Sequence, residues 1–181
     1  MTATEYVVLV DDEDKQTGIA EKLEAHQKNL LHRAFSVFIF RQQIEQLELL
    51  LQQRALHKYH SPGLWTNTCC SHPRPDEDIV NAGERRLREE LGLNIALKKV
   101  GKFCYNAHFA NGLSEHELDH VLIGEIAVDA EVKPNPEEVE DYRWISVTDL
   151  QQELQLHPDH FTPWLLPALE IALKGRSHGK L

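Results

Sequence analysis

The chain has 181 residues, 41% hydrophobic and 27% charged, which suits one domain able to bury a core without disulfide or metal staples. Its formal net charge of -10 excludes a broad basic nucleic-acid footprint and requires any anionic ligand to be held by a local basic pocket or a metal. No stretch approaches the roughly 18 consecutive apolar residues of a membrane span.

Glu5 to Val10 (EYVVLV) reads as a strand that ends at an acidic turn, and Thr17-Gly18 marks a second turn. The early Glu5 and the acidic Asp11 to Asp14 do not fit a signal peptide. Lys22 to Leu31 is mixed and fits either helix or loop. Arg33 to Arg41 (RAFSVFIFR) is rich in β-branched and aromatic residues and reads as a strand buried on both faces. Leu47, Leu49 and Leu51 recur at period two in Gln46 to Gln52, as expected of a hairpin partner with one buried face. His57 to Pro75 reads as a long structured loop, and such loops are usually functional in compact domains.

Asp76 to Leu91 is the clearest helix. Asp76 is the expected cap, Glu77 and Asp78 fill the first turn, and Gly92 ends it. Ile79, Gly83, Leu87 and Leu91 form its apolar stripe. Strands follow at Val100 to Asn106, Asp119 to Val128 and Asp141 to Ile145, and two short helices at Val147 to Leu154 and Pro163 to Leu173. The expected fold class is α+β, a mixed β-sheet sandwiched between helices, in a single domain spanning 1–181.

The three cysteines Cys69, Cys70 and Cys104 are odd in number and include an adjacent pair, which argues for a reducing, cytoplasmic setting. No C-x-x-C pair supports a structural zinc ribbon. The terminal Gly-Lys-Leu shares two letters with a peroxisomal tail and carries little weight.

The chemistry concentrates around the central helix and the loop before it. Ser71-x5-Glu77-x7-Arg85-Arg86-Leu87-x-Glu89-Glu90-x-Gly92-Leu93 resembles the Nudix signature, Gly-x5-Glu-x7-Arg-Glu-apolar-x-Glu-Glu-x-Gly-apolar. Glu89 and Glu90 fall one turn beyond Arg85 and Arg86, so carboxylates and guanidinium groups share a helix face. Carboxylates there can hold Mg2+, which in turn holds diphosphate oxygens. A bare salt-bridge-laced surface helix is the commoner meaning of such a charge pattern, and the complete spacing speaks against it. Ser71 stands where the signature has its first glycine and Arg86 where it has its first helical glutamate. A positive charge in place of a metal-binding carboxylate argues that the hydrolytic site is lost while the fold is kept.

The run Trp65-Thr66-Asn67-Thr68-Cys69-Cys70-Ser71-His72-Pro73, with Tyr105, Glu115-His116-Glu117, Phe161-Thr162-Pro163-Trp164, and upstream His26 and His32, resembles the type I isopentenyl-diphosphate isomerases, a Nudix-fold family. The resemblance runs from about Tyr6 to Trp164, and that family's pattern tolerates Ser71. It implies conversion of isopentenyl diphosphate to dimethylallyl diphosphate by protonation at one carbon and deprotonation at another, through a carbocation-like intermediate shielded from water. Cys70 matches the catalytic cysteine on one face of the substrate. Glu117 matches the catalytic glutamate on the other, and Tyr105 the tyrosine that assists it. A metal near Glu117 would activate it as an acid. His26, His32, His72, Glu115 and Glu117 match a site for Mn2+, Mg2+ or Zn2+. In a strand, Glu115 and Glu117 would point one way and His116 the other. His26 is the ligand resting most on the family pattern.

Glu90 matches the glutamate that binds the Mg2+ bridging diphosphate oxygens. Lys22, Arg54, Lys58 and Arg86 match the basic residues that contact the diphosphate. Trp164 matches an aromatic residue lining the hydrocarbon pocket, where an indole face beside a developing cation contributes about 2 kcal/mol when desolvated. Cys69 and Cys104 are expected to be buried structural thiols, Trp65 to serve equally well in the core, and the remaining histidines, His60 and His120 among them, to be surface or local hydrogen-bonding groups. The expected partner is a small isoprenoid diphosphate, with no nucleic acid or membrane span and a monomeric state. A Nudix hydrolase of nucleoside diphosphate derivatives and a non-enzymatic metal-binding domain are the alternatives. Arg86 and the Cys70–His72 loop speak against the first, and the combined acid, base and two ligand sets against the second.

Overall fold

The computed structural model describes residues 3–58 and 60–178; the terminal Gly-Lys-Leu and the ends of the expected 1–181 domain lie outside the described residues. Nine strands and four α-helices form in the order β1 (Tyr6–Val10), β2 (Gln16–Glu21), α1 (Lys22–Gln27), β3 (His32–Gln42), β4 (Leu47–Arg54), β5 (Trp65–Thr66), β6 (Cys69–Ser71), α2 (Ile79–Leu91), β7 (Lys98–His108), β8 (Ser114–Glu125), β9 (Val139–Ser146), α3 (Val147–Leu156) and α4 (Leu165–His178). Among the described residues no helix is long and apolar enough to cross a membrane.

β3 organises the sheet. One edge runs parallel to β8 from His32↔Glu117 to Phe40↔Glu125. The other edge is shared in turn by β1 at His32, by β6 at Phe35 to Val37 and by β4 at Phe40 to Gln42. A strand so enclosed is buried on both faces, which is why its sequence is almost continuously apolar. Phe38 and Phe40 pack with Leu49, Leu51, Val121 and Ile123 against Leu150 of α3 and Leu165, Leu169 and Ala172 of α4. Phe35, Val37 and Ile39 pack on the opposite face with Leu50 and Leu122 against Ala82, Leu87 and Leu91 of α2. The sheet therefore lies between helices, as the sequence leads one to expect.

Five details differ from the sequence expectation. Thr17-Gly18 lies inside β2 rather than in a turn; the turn is at Asp11 to Lys15, where Asp11 Oδ1 accepts from the backbone N–H groups of Glu13 and Lys15. β4 buries Leu50 as well as Leu49 and Leu51, because it is flanked by β9 along most of its length and covered on both faces. α2 is capped by Asp78, whose carboxylate accepts from Asn81 N at 3.0 Å. Asp76 has a left-handed φ of 66° outside the helix, and Glu77 instead pairs with Arg85 at 2.8 Å. β8 starts at Ser114, five residues earlier than expected, and carries Glu115 and Glu117 into the sheet. The segment 57–75, expected as loop, contributes β5 and β6, so Cys70 sits on a strand. Gly92 ends α2 as expected, with φ 66°.

Candidate active site

A cleft of about 630 Å³ opens where β3, β6, β8 and α2 converge. Lys22, Arg54, Lys58, Cys70, His72, Arg86, Glu90, Glu115, Glu117 and Trp164 all line it. His26 and His32 are fully buried behind it. Tyr105 stands directly across from Glu117 in the β7–β8 ladder, so the two side chains share a face.

Period-two alternation places Glu115, Glu117 and Asp119 on that face, all buried, with His116 half-buried on the other. The histidines arrive from three elements: His26 from α1, His32 from the start of β3 and His72 from just beyond β6. Ligand atoms of His26, His32, His72 and Glu117 all lie within 4.8 Å of one another, whereas Glu115 falls outside that group and gathers instead with His26 and His60. His26 Nδ1 donates to the Lys22 carbonyl at 2.6 Å, and His32 Nδ1 to the Leu30 carbonyl at 2.8 Å. A carbonyl can only accept, so each ring presents a lone pair at Nε2. His32 Nε2 faces His72 Nε2 at 3.2 Å, and Glu117 Oε1 lies 3.1 Å from His72 Nε2. Nitrogen lone pairs gathered around a carboxylate oxygen suit a divalent cation, and rings anchored through the far nitrogen are the usual support of such a site.

In the metal-free protein burial favours the lone pair on His26 and His72, whereas Glu117 raises His32 against its burial and favours a proton there until a cation replaces it. Burial lowers His26 to about 4, with His32 and His60 adding to the effect. Burial lowers His72 to about 3 against the pull of Glu117. Burial works to raise the Glu117 carboxyl, but His32 and His72 outweigh it and hold the group well below the carboxylate range. Glu115 is raised by burial and by the neighbouring Glu117 charge. Burial, then Glu115 and Glu117, raise the Tyr105 phenol, whose hydroxyl has no hydrogen-bond partner among the described residues.

Cys70 sits in a polar nest on the same face. Its thiol donates to Asn67 Oδ1 at 3.0 Å, and its sulfur accepts from Trp164 Nε1 at 3.2 Å. Asn67 is itself fixed by donating to the Val37 and Cys69 carbonyls. Burial, with the Asp119 carboxyl next, pushes the thiol up to about 12, so Sγ holds its proton in neutral water. Trp164 is 4% exposed and bridges the halves of the cleft, its ring beneath the Arg54 guanidinium at 5.5 Å and edge-on to Tyr105 at 6.1 Å.

The basic rim is paired with carboxylates. Lys22 bonds Glu5 at 2.9 Å, Lys58 bonds Glu138 at 2.7 Å, and Arg86 bonds Glu90 at 2.9 Å and Glu138 at 3.2 Å. Glu90 is buried and also accepts from Cys69 Sγ at 2.6 Å and from Gln52 Nε2 at 3.3 Å.

The sequence reading passed over several of these groups. His60 is 8% exposed rather than on the surface, with Nε2 at 2.8 Å from Glu115 Oε1. His120 is likewise buried, 3.0 Å from Asp14. Cys69 is buried as expected but bonds Glu90, whereas Cys104 is exposed, because the period-two alternation of β7 puts it on the face opposite the half-buried Phe103 and Tyr105. Asp119 continues the Glu115–Glu117 period and accepts from Ser36 Oγ at 2.8 Å; that period is a signal the sequence does carry. Trp65 is only partly buried, packed on the α4-side core.

The NUDIX domain family matches residues 30–165. A curated relative from Aliivibrio fischeri, an isopentenyl-diphosphate Delta-isomerase, is 50% identical over 165 residues, covering 89% of this chain and 91% of its own. The chain belongs to the isopentenyl-diphosphate Delta-isomerase family. A further member, isopentenyl-diphosphate Delta-isomerase 2 of Aromatoleum aromaticum, is 45% identical over 171 residues, covering 94% of this chain and 88% of its own. Among solved structures, DR0079 from Deinococcus radiodurans superposes with a TM-score of 0.68 at 18% identity, over 93% of this chain and 98% of that one. The NUDIX domain of Shewanella oneidensis NrtR, solved with ADP ribose, gives 0.61 at 19% identity, over 80% and 86%. These two likenesses concern the fold. Within that fold this chain carries the Nudix helix with the cysteine strand and the histidine cluster beside it.

Proposed function

We propose that the chain interconverts isopentenyl diphosphate and dimethylallyl diphosphate. The observation that carries this reading is that Cys70 and Glu117 line one cleft whose rim holds Lys22, Arg54, Lys58 and Arg86. The reaction adds one proton to the substrate and removes another, so the site needs one group that holds a proton and one that lacks it. Cys70 Sγ is protonated and Glu117 is not, for the reasons of burial and partner charge given above. Tyr105, opposite Glu117 in the β7–β8 ladder and with its hydroxyl unbonded to the described residues, would pass a proton to or from that carboxylate.

The diphosphate is bound at the basic rim. Arg54 and Arg86 offer planar forks to its oxygens, and Lys22 and Lys58 point charges; Arg86, Lys22 and Lys58 would exchange their present carboxylate partners for it and Arg54 its bonds to His60. Glu90, held by Cys69, Gln52 and Arg86, fits a Mg2+ ion shared with the diphosphate. His26, His32, His72, Glu115 and Glu117 would hold a divalent Mn2+, Mg2+ or Zn2+ ion, which when bound would supply positive charge beside Glu117 and so acidify any proton that carboxylate takes up from the substrate or from Tyr105. The hydrocarbon end lies against Trp164, whose indole face stabilises developing positive charge. The buried Glu117 and part-buried Cys70 limit the access of water to that charge.

Arg86 carries a guanidinium where the Nudix signature has a metal-binding carboxylate, and its ion pairs with Glu90 and Glu138 neutralise the local acidic cluster. That disfavours the alternative of nucleoside diphosphate hydrolysis. The chain is further read as a cytoplasmic monomer, in keeping with its three free cysteines. The test is proton NMR of isopentenyl diphosphate with the purified protein and Mg2+ in heavy water. Deuterated dimethylallyl diphosphate is the expected product; release of phosphate, or unchanged substrate, overturns the reading.

A further inference from the structure

We propose that His60 is a positioning residue that ties Arg54 of the basic rim to Glu115 of the metal cage; the inference rests on the metal reading of that cage. His60 lies in the segment between β4 and β5, whose ends are pinned by Gly63 N to Arg54 O at 3.0 Å and Arg54 N to Leu64 O at 2.9 Å. Its ring is stacked against His26 at 5.3 Å and against Phe109 at 5.6 Å, and meets Trp164 edge-on at 6.4 Å. The ring is thus held in one plane by three neighbours.

The two ring nitrogens have different partners. Arg54 Nη2 lies 3.2 Å from His60 Nδ1 and 3.3 Å from the His60 carbonyl oxygen. A guanidinium can only donate, so Nδ1 is an acceptor and Nε2 carries the hydrogen. That hydrogen is directed at Glu115 Oε1, 2.8 Å away. Glu115 Oε2 is buried and has no hydrogen-bond partner among the described residues. The histidine occupies Oε1 and leaves Oε2 for an ion, with His26, which both the Glu115 and the His32–His72–Glu117 groups share, as the nearest imidazole ligand. Arg54 in turn fixes the tautomer. Movement of Arg54 onto a diphosphate acts on the same ring, so occupancy of the rim and of the cage are coupled, and coupling of binding is reciprocal.

The experiment compares the full chain with His60→Ala and His60→Gln, without substrate, measuring Mn2+ affinity by competition with a chromophoric chelator. Thermal unfolding of the metal-free proteins accompanies it. Supporting groups of this kind change metal affinity by about 10- to 100-fold, so His60→Ala is expected to bind Mn2+ weaker by that factor. His60→Gln, whose amide N–H can replace Nε2–H, is expected to recover most of it. Inorganic pyrophosphate, which draws Arg54 away from His60, is expected to weaken Mn2+ binding to the wild type beyond its own chelation of the ion in a protein-free control, and to lose that extra effect in His60→Ala. Wild-type affinity in a folded His60→Ala overturns the positioning role. So does a His60→Gln protein as weak as His60→Ala that shows one fewer histidine around the ion by X-ray absorption, because His60 is then a ligand itself. A wild type that binds no Mn2+ overturns the cage and this inference with it, while leaving the isomerase reading to the NMR test.

Discussion

Cys69 and Cys70 are neighbours in the chain, and β6 sends them to opposite faces of the sheet. Cys69 pairs with Val37 and donates to Glu90 on the α2 side; Cys70 pairs with Ser36 and accepts from Trp164 on the α4 side. One strand of three residues therefore touches both the Glu90 side and the Trp164 side of the cleft.

Replacing Cys70 by alanine removes a proton-holding atom and only a small volume. Turnover measured by NMR is expected to fall by on the order of 10²- to 10⁴-fold, with the circular dichroism spectrum kept. Near-normal turnover would show that the thiol is a bystander.

Cys69→Val removes the donor to Glu90 Oε2 and leaves an apolar group among Val37, Leu87 and Leu91. A hydrogen bond to a charged group contributes about 1.5–3 kcal/mol, and Gln52 and Arg86 still hold the carboxylate. KM for isopentenyl diphosphate at limiting Mg2+ is expected to rise roughly tenfold, with kcat changed less. An equal loss in kcat, or no change in KM, sinks the assignment of Cys69 to Glu90.

Glu117→Gln keeps the shape of a group bonded to His72 at 3.1 Å but deletes its charge. Both isomerisation and Mn2+ affinity are expected to drop, the first by at least about 100-fold. Full metal binding with lost turnover assigns the carboxylate to proton transfer alone; retained turnover removes it from the mechanism.

The buried histidines make the metal-free protein sensitive to acid. His26 and His72 titrate at about 4 and about 3 in the fold, against an ordinary value near 6.5 when unfolded. The unfolded chain takes up protons first, so stability falls as pH drops from about 6.5 toward 3 to 4. The low Glu117 carboxyl has the same sign: its contribution is lost as pH falls through its folded value. His32, raised by Glu117 against its burial, opposes them, since its contribution is full below about 6.5 and is lost as pH rises through its folded value. The lowered imidazoles of His26, His72 and, at about 4, His120 predict a fall in Tm between pH 7 and 4 in chelator, opposed by His32 and by the raised carboxyls of Glu115 and Asp119. A His26→Gln protein should show a shallower fall, and an unchanged slope contradicts the burial argument.

Much of this protein was legible in its residues. The strand 33–41, the helix ending at Gly92 and the Glu115–Glu117 alternation follow from periodicity and turn chemistry, which are local properties. The spacing of charges from Glu77 to Glu90 likewise placed Arg86 on Glu90, because a helix brings residues four apart together. The cap of α2 lay two residues beyond the expected Asp76, because several acidic residues compete for one role and only backbone geometry selects among them. His60 carries no periodic signal, since its segment is irregular and its place beside Glu115 depends on how the ends of β4 and β5 close. Cys69 and Cys104 looked alike as isolated thiols, and only strand pairing decides that one meets a buried carboxylate and the other meets solvent. Sequence by itself determined which elements form and which residue types supply acid, base and ligands, because those depend on near neighbours in the chain. The tertiary structure alone decided which of them meet, because a contact such as His32 with His72, forty residues apart, is set by the register of β3 between β6 and β8 and by no spacing along the chain.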